Sequence, residues 1–170
     1  SDEAGESTCT YSRDLEDIKE VCIRLNIPYV EVSFIKEYWN DVFQPTLDAY
    51  ESGLETPNPD VSCNRQIKFG QLKEYVLNEL GVDYLATGHY ARLGYPSPST
   101  GTFDDSMEAM VRGSAVEEPV LLRGIDQTKD QSYFLSMTSS KQLRNVIFPL
   151  GQYRKKDIRS MMEIPFKGLN

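Results

Sequence analysis

Apolar side chains recur at intervals of three and four along several stretches of this 170-residue chain, separated by short alternating or continuous apolar runs. After a polar connection over residues 1–12, Leu15, Ile18, Val21, Cys22 and Leu25 mark an amphipathic helix. Ser12 is placed to cap it, Asp14, Glu16 and Asp17 suit its first turn, and Asn26 suits its end. Residues 28–34 alternate apolar and polar with β-branched side chains, which predicts a strand. Tyr38, Trp39, Val42, Phe43, Leu47 and Tyr50 predict a second helix over 36–52, divided or kinked at Pro45 and closed by Gly53. Trp39 and its aromatic neighbours belong in the core by general burial habit. Ile67, Leu72, Tyr75, Val76 and Leu80 predict a third helix that stops at Gly81. Residues 82–87 read as a buried parallel strand and 120–124 as a further strand, followed by short helices over 139–145 and 154–163 around a packed turn at 147–151.

Between the second and third helices lies Thr56-Pro57-Asn58-Pro59-Asp60. Two prolines fix φ at both sites and push Thr56 and Asn58 into extended geometry, so these five residues form a stiff, non-helical arm. The arm runs into the third helix with Cys63 near its start. Orphan N–H groups and the helix dipole there favour an anion, Arg65 and Lys68 add positive charge, and Asp60 either opposes ionisation or takes the proton. Two readings stand on these residues alone: a nucleophilic thiol with a carboxylate acceptor, or a small, partly buried residue in a capping turn.

Composition narrows the field. Hydrophobic content of 39% and aromatic content of 11% describe a globular chain, and no apolar run is long enough to span a membrane. The net charge of −8 argues against a broadly basic nucleic-acid binder, yet Lys141, Arg144, Arg154, Lys155, Lys156 and Arg159 cluster late in the chain. That cluster is either a solvated helix face or a local patch. Cys9, Cys22 and Cys63 are widely spaced, with a single histidine, His89, so a structural metal site is not expected. An odd cysteine count suits a reducing compartment, and Cys9 and Cys22 read as inert. Gly88 and His89 end the predicted parallel strand, where open α/β sheets bind ligands; His89 could contact phosphate or base, or be a hydrogen-bonded strand-end histidine. The loop Asp126-Gln127-Thr128-Lys129-Asp130-Gln131 offers a cation for a phosphate and an amide for a base or sugar edge, and otherwise is a solvated turn.

The run TPNPDVSCNRQIKFG closely resembles the corresponding loop of the tRNA-specific 2-thiouridylases. Three further segments match in the same order: Lys36-Glu37-Tyr38-Trp39-Asn40-Asp41-Val42-Phe43, Ala86-Thr87-Gly88-His89-Tyr90-Ala91-Arg92 and Lys129-Asp130-Gln131-Ser132-Tyr133-Phe134-Leu135. The resemblance covers nearly the whole chain except residues 94–118, which are turn-rich and acidic and read as a mobile insertion contributing nothing to the site.

This resemblance implies an α/β fold, a Rossmann-like parallel sheet of the PP-loop ATP pyrophosphatase (adenine nucleotide alpha hydrolase-like) type. Residues 1–170 would be the central and C-terminal part of one catalytic domain. The implied enzyme uses ATP and Mg²⁺ to adenylate the C2 oxygen of the wobble uridine in tRNA, then replaces that oxygen with sulfur from a cysteine persulfide. A persulfide carrier or cysteine desulfurase relay would supply the sulfur. Cys63 and Asp60 match the catalytic positions, Asn58, Pro59 and Asp60 the segment facing the target base, and Gly88 an ATP contact. His89, Lys129, Asp130 and Gln131 match tRNA-contacting positions. Neither the family's Ser-Gly-Gly-x-Asp-Ser phosphate loop nor its second cysteine is found in this sequence, so the 170 residues alone are expected to be inactive and the parent protein active. The long insertion suggests a mitochondrial protein, with a bacterial cytoplasmic origin as the alternative. Another PP-loop adenylating enzyme, or a non-catalytic tRNA-binding protein derived from the same fold, are the competing readings.

Overall fold

The structure is a computed structural model that describes residues 10–53, 55–97, 101–113 and 118–163. The chain divides into two units, residues 1–33 and 34–170. In the first, helix α1 spans Thr10–Leu25, so Ser12 is helical and not a cap, and the first turn carries no acid. Asn26 adopts the left-handed conformation at φ 52, with its N–H donating to the Ile23 carbonyl (3.1 Å) and that of Ile27 to Cys22 (2.9 Å), which closes the helix as the sequence predicts. The strand expected over 28–34 does not form. Alternation supplies two distinct faces, but a strand also needs a ladder partner, and none pairs with it among the described residues. Tyr29 and Val30 remain 47% and 59% exposed. Local contacts hold this segment: the Tyr11 hydroxyl donates to Glu31, and the Lys19 ammonium lies 5.7 Å over the Tyr29 ring.

In the second unit α2 (Ile35–Tyr38), a π turn (Trp39–Phe43) and α3 (Gln44–Ser52) run on without a break. Pro45 therefore does not divide the helix. It sits in the first turn of α3, and the wider π turn just ahead accommodates the missing N–H. The same turn shifts the aromatic stripe. Val42 is fully buried while Trp39 stays 53% exposed against Phe43, 4.8 Å away, so Trp39 is not the core residue its type suggests. Gly53 ends α3 at φ 65, as expected.

The third helix comprises α4 (Pro59–Cys63), a π segment (Asn64–Leu72) and α5 (Lys73–Asn78). Beyond it, β1 (Leu85–Ala86) pairs in parallel with β5 (Val146–Ile147). The predicted parallel pairing is present, but β1 is two residues long and half exposed. Most strand residues instead form an antiparallel sheet, ordered β3 (Phe103–Asp104), β2 (Ala91–Pro96), β4 (Val120–Arg123). The chain is α/β, with helices α6 (Met107–Gly113), α7 (Ser140–Leu143) and α8 (Lys155–Glu163) completing it.

Residues 94–118 are not structureless where they are described. The end of β2, β3 and α6 all lie there, and Tyr95, Ala109 and Met110 are almost fully buried. Residues 98–100 and 114–117 lie outside the described residues. Alternate residues of β2, Ala91, Leu93 and Tyr95, face a core completed by Phe69, Met110, Leu135, Leu143, Val146 and Phe148. Gly151 closes that core against β2: a Cβ there would lie 1.8 Å from the Ala91 carbonyl oxygen.

A polar cavity beside the Cys63 helix

Asn58 is the hinge between arm and helix. Its backbone is extended (φ −119, ψ 101) and its Oδ1 accepts from the N–H groups of Asp60 (3.1 Å) and Val61 (3.3 Å), while Pro59 takes the first helical position. The arm therefore ends at Asn58, two residues earlier than the non-helical run through Asp60 that the sequence predicts. Asp60 lies in the first turn, and Cys63 is the last residue of α4. The Tyr50 hydroxyl reaches the Pro57 carbonyl at 3.4 Å.

Asp60, Asn64 and Lys68, spaced by four through the wide π turns, line a cavity of about 250 Å³ together with His89, Gln131 and Phe134. A single network organises its floor. Asn64, 3% exposed, donates from Nδ2 to the Phe134 carbonyl (2.9 Å), which turns its Oδ1 toward His89 Nε2 at 3.3 Å. An amide oxygen only accepts, so His89 carries its proton on Nε2. Its Nδ1, 2.8 Å from Thr87 Oγ1, then accepts from that hydroxyl. The imidazole lies between Phe69 and Phe148, with ring centroids 5.5 and 5.6 Å away. Burial in these apolar surroundings, reinforced by the Lys68 charge, lowers its pKa from 6.5 to about 4. His89 is thus a neutral, saturated ring that offers no free donor.

Of the two readings of Cys63, its surroundings match the partly buried residue and not the easily ionised thiol. It is half-buried, and desolvation pushes its pKa up; Lys68 pulls it down and Asp60 pushes it up further. Five residues into a helix that Asn58 already caps, burial outweighs the helix dipole, whose influence fades within the first turn.

The other expected site residues divide. Asp60, His89 and Gln131 reach the cavity. Gln131 Oε1 accepts from the Tyr90 N–H (2.9 Å), which ties the loop to β2. Asp130 turns inward, accepting from the N–H groups of Gly124 (2.9 Å) and Ser132 (3.3 Å) and from the Ser132 hydroxyl (2.8 Å). Those hydrogen bonds and Arg123 outweigh its desolvation and hold its carboxyl below the usual range. Lys129 is exposed and lines a different groove. Gly88 is exposed at the end of β1, and a Cβ there would meet only Leu150 Cδ1 at 3.8 Å, so packing does not require glycine. Asn58 and Pro59 shape the helix entry. Among the described residues no three His, Cys, Asp or Glu side chains converge on a metal position. Sequence reasoning noted Lys68 only as nearby charge and passed over Asn64. The recurrence of polar residues at Asp60, Asn64 and Lys68, at intervals of four along one face, is the signal that could have found them.

Comparison with known proteins yields one family and a consistent set of relatives. The family described as "tRNA methyl transferase HUP domain" matches residues 1–165. Proteins named tRNA-specific 2-thiouridylase MnmA are 44% identical in Bacillus licheniformis, over 90% of this chain and 36% of the relative. They are 43% identical in Lysinibacillus sphaericus (96% and 38%) and 46% in Chlamydia pneumoniae (90% and 37%). The chain spans a little over a third of the length of these curated relatives. All three are bacterial, which overturns the expectation of a mitochondrial protein: a long connection between strands is a poor guide to compartment.

Proposed function

The chain belongs to the tRNA methyl transferase HUP domain family, and from that premise we propose that the full-length protein is a tRNA-uridine 2-sulfurtransferase. The observation that carries this reading is Asp60 and Cys63, one helical turn apart on the helix that walls the polar cavity. The names of the relatives support it. The family description speaks of methyl transfer, but a half-buried cysteine beside a carboxylate suits sulfur chemistry better.

ATP, as co-substrate, supplies the adenylyl group that makes the uridine C2 oxygen a leaving group. Gly88, open at the end of a parallel strand, fits an approach by nucleotide to the backbone. No carboxylate cluster for Mg²⁺ occurs among the described residues, and no step is assigned to that ion. Cys63 rests as a thiol. Asp60 takes its proton, which also removes the negative charge that opposes the thiolate. The thiolate attacks the inner sulfur of a persulfide held on a second cysteine, delivered by a sulfur relay. A disulfide forms, and hydrosulfide departs with the electron pair and adds at C2 of the activated uridine; the C2–O bond breaks, AMP leaves with that oxygen, and loss of the sulfur's proton gives the thiocarbonyl.

Asn58 and Pro59 present the helix entry to the target base. His89 acts by positioning: through Asn64 it holds the helix face that carries Asp60 and Lys68. Lys129 and Gln131 face tRNA, and Asp130 holds their loop in shape. The test is nucleoside mass spectrometry of tRNA from cells whose full-length protein carries Cys63→Ser. Loss of wobble 2-thiouridine at unchanged protein abundance is expected. Unchanged 2-thiouridine would remove Cys63 from the chemistry, and a methylated uridine dependent on the protein would favour the other reaction.

A further inference from the structure

Four members of the late basic cluster, Arg154, Lys155, Lys156 and Arg159, line a groove of about 900 Å³ between the 126–129 turn and helix α8, whereas Lys141 and Arg144 do not. Five cations line it, Lys129, Arg154, Lys155, Lys156 and Arg159, against two carboxylates, Asp126 and Glu163. Asp126 is already committed. It accepts from the N–H groups of Lys155 (3.0 Å) and Thr128 (3.1 Å) and from the Thr128 hydroxyl (2.7 Å), capping α8. None of the five cations forms an ion pair within 4.0 Å among the described residues. Lys155, Arg159 and Glu163 follow at intervals of four and Lys156 and Ser160 likewise, so two adjacent rows of α8 face the groove.

Cations without an ion-pair partner among the described residues, gathered on one face of a chain whose net charge is −8, suit an anionic ligand. Small-molecule sites are mostly apolar with a few polar groups, whereas among the described residues Ile125 is the only large apolar one lining this groove. The turn also joins groove to cavity: Lys129 lines the first and Gln131, two residues on, the second. We propose that the α8 groove binds the sugar–phosphate backbone of an RNA and sets the register in which one of its bases reaches the cavity beside Asp60. This inference rests on the sulfurtransferase reading for the identity of the RNA, a tRNA. Phosphate contacts position the strand without reading its sequence.

The experiment measures binding of the full-length protein to a tRNA transcript across a salt series, for wild type, Lys156→Gln/Arg159→Gln and Arg24→Gln. Each lost phosphate contact removes about 0.7 to 0.9 from the slope of log affinity against log salt. The double variant is therefore expected to lower the slope by about 1.4 to 1.8. Its affinity deficit then narrows about tenfold between about 50 and 200 mM salt. Arg24, paired with Glu20 on α1, is not a groove residue, and its single lost charge leaves the slope unchanged. Both groove side chains are exposed, so an unaltered melting curve is expected and shows that the fold is intact. A double-variant slope equal to wild type overturns the proposal, whether or not the protein thiolates tRNA. Absence of 2-thiouridine in cells with wild-type protein would instead sink the sulfurtransferase reading and leave the groove to be decided by the slope.

Discussion

His89 gives the sharpest physical test of the site, because the chain has only this histidine. The folded protein holds the ring neutral down to about pH 4, whereas an unfolded chain protonates it near 6.5. Between those values the unfolded state binds more protons, so stability is intact above pH 6.5 and is lost as pH falls through the window. The full displacement is worth roughly 3 kcal/mol at about 1.4 kcal/mol per tenfold. About 2 kcal/mol of it is lost between about pH 7.5 and pH 5. Asp104, Asp126 and Asp130, held below the usual carboxylate range, contribute stability that is lost only as pH falls below their ordinary value of 3.8, outside this window. The assay is urea unfolding at about pH 7.5 and pH 5 for wild type and His89→Gln; the variant should lose about 2 kcal/mol less than wild type on acidification. Nitrogen-15 NMR of the imidazole, assigned by its absence in the variant, should show the proton on Nε2 and no titration above about pH 5. A midpoint between 6 and 7, or a proton on Nδ1, would refute both the burial argument and the Asn64 network.

Further predictions follow from the same geometry. Alkylation of Cys63 near neutral pH should be slower than for a free thiol. Asp60→Asn should accelerate it about two- to fivefold and Lys68→Gln slow it by a similar factor, read by mass spectrometry of the modified peptide. Gly151→Ala forces a Cβ to 1.8 Å from a carbonyl oxygen and should cost about 3 kcal/mol or more in denaturant unfolding. Gly88→Ala, whose Cβ meets only a leucine methyl at 3.8 Å, should stay within about 0.5 kcal/mol of wild type while weakening ATP binding by calorimetry.

The sequence by itself determined what depends on neighbours in the chain. Proline and the Asn58 side chain set the arm and the helix start, left-handed Asn26, Gly53 and Gly81 set three ends, and a capping box at Ser139 and Gln142 starts the short helix α7. Four motifs in order were enough to indicate the chemistry to look for. Tertiary structure decided which of the motif residues meet. Asn64, His89 and Phe134 are far apart in the chain, and only packing around Phe69 and Phe148 brings their polar atoms within hydrogen-bond reach. It also directed Lys129 and Gln131, two residues apart in one motif, to a groove and a cavity respectively. The sign of the Cys63 perturbation was likewise out of reach of local rules. A helix start and nearby cations are visible in sequence, but desolvation depends on what covers the thiol, and here that term is the larger. The expected strand at 28–34 failed for a related reason: alternation describes a surface, whereas a strand exists only where another backbone pairs with it.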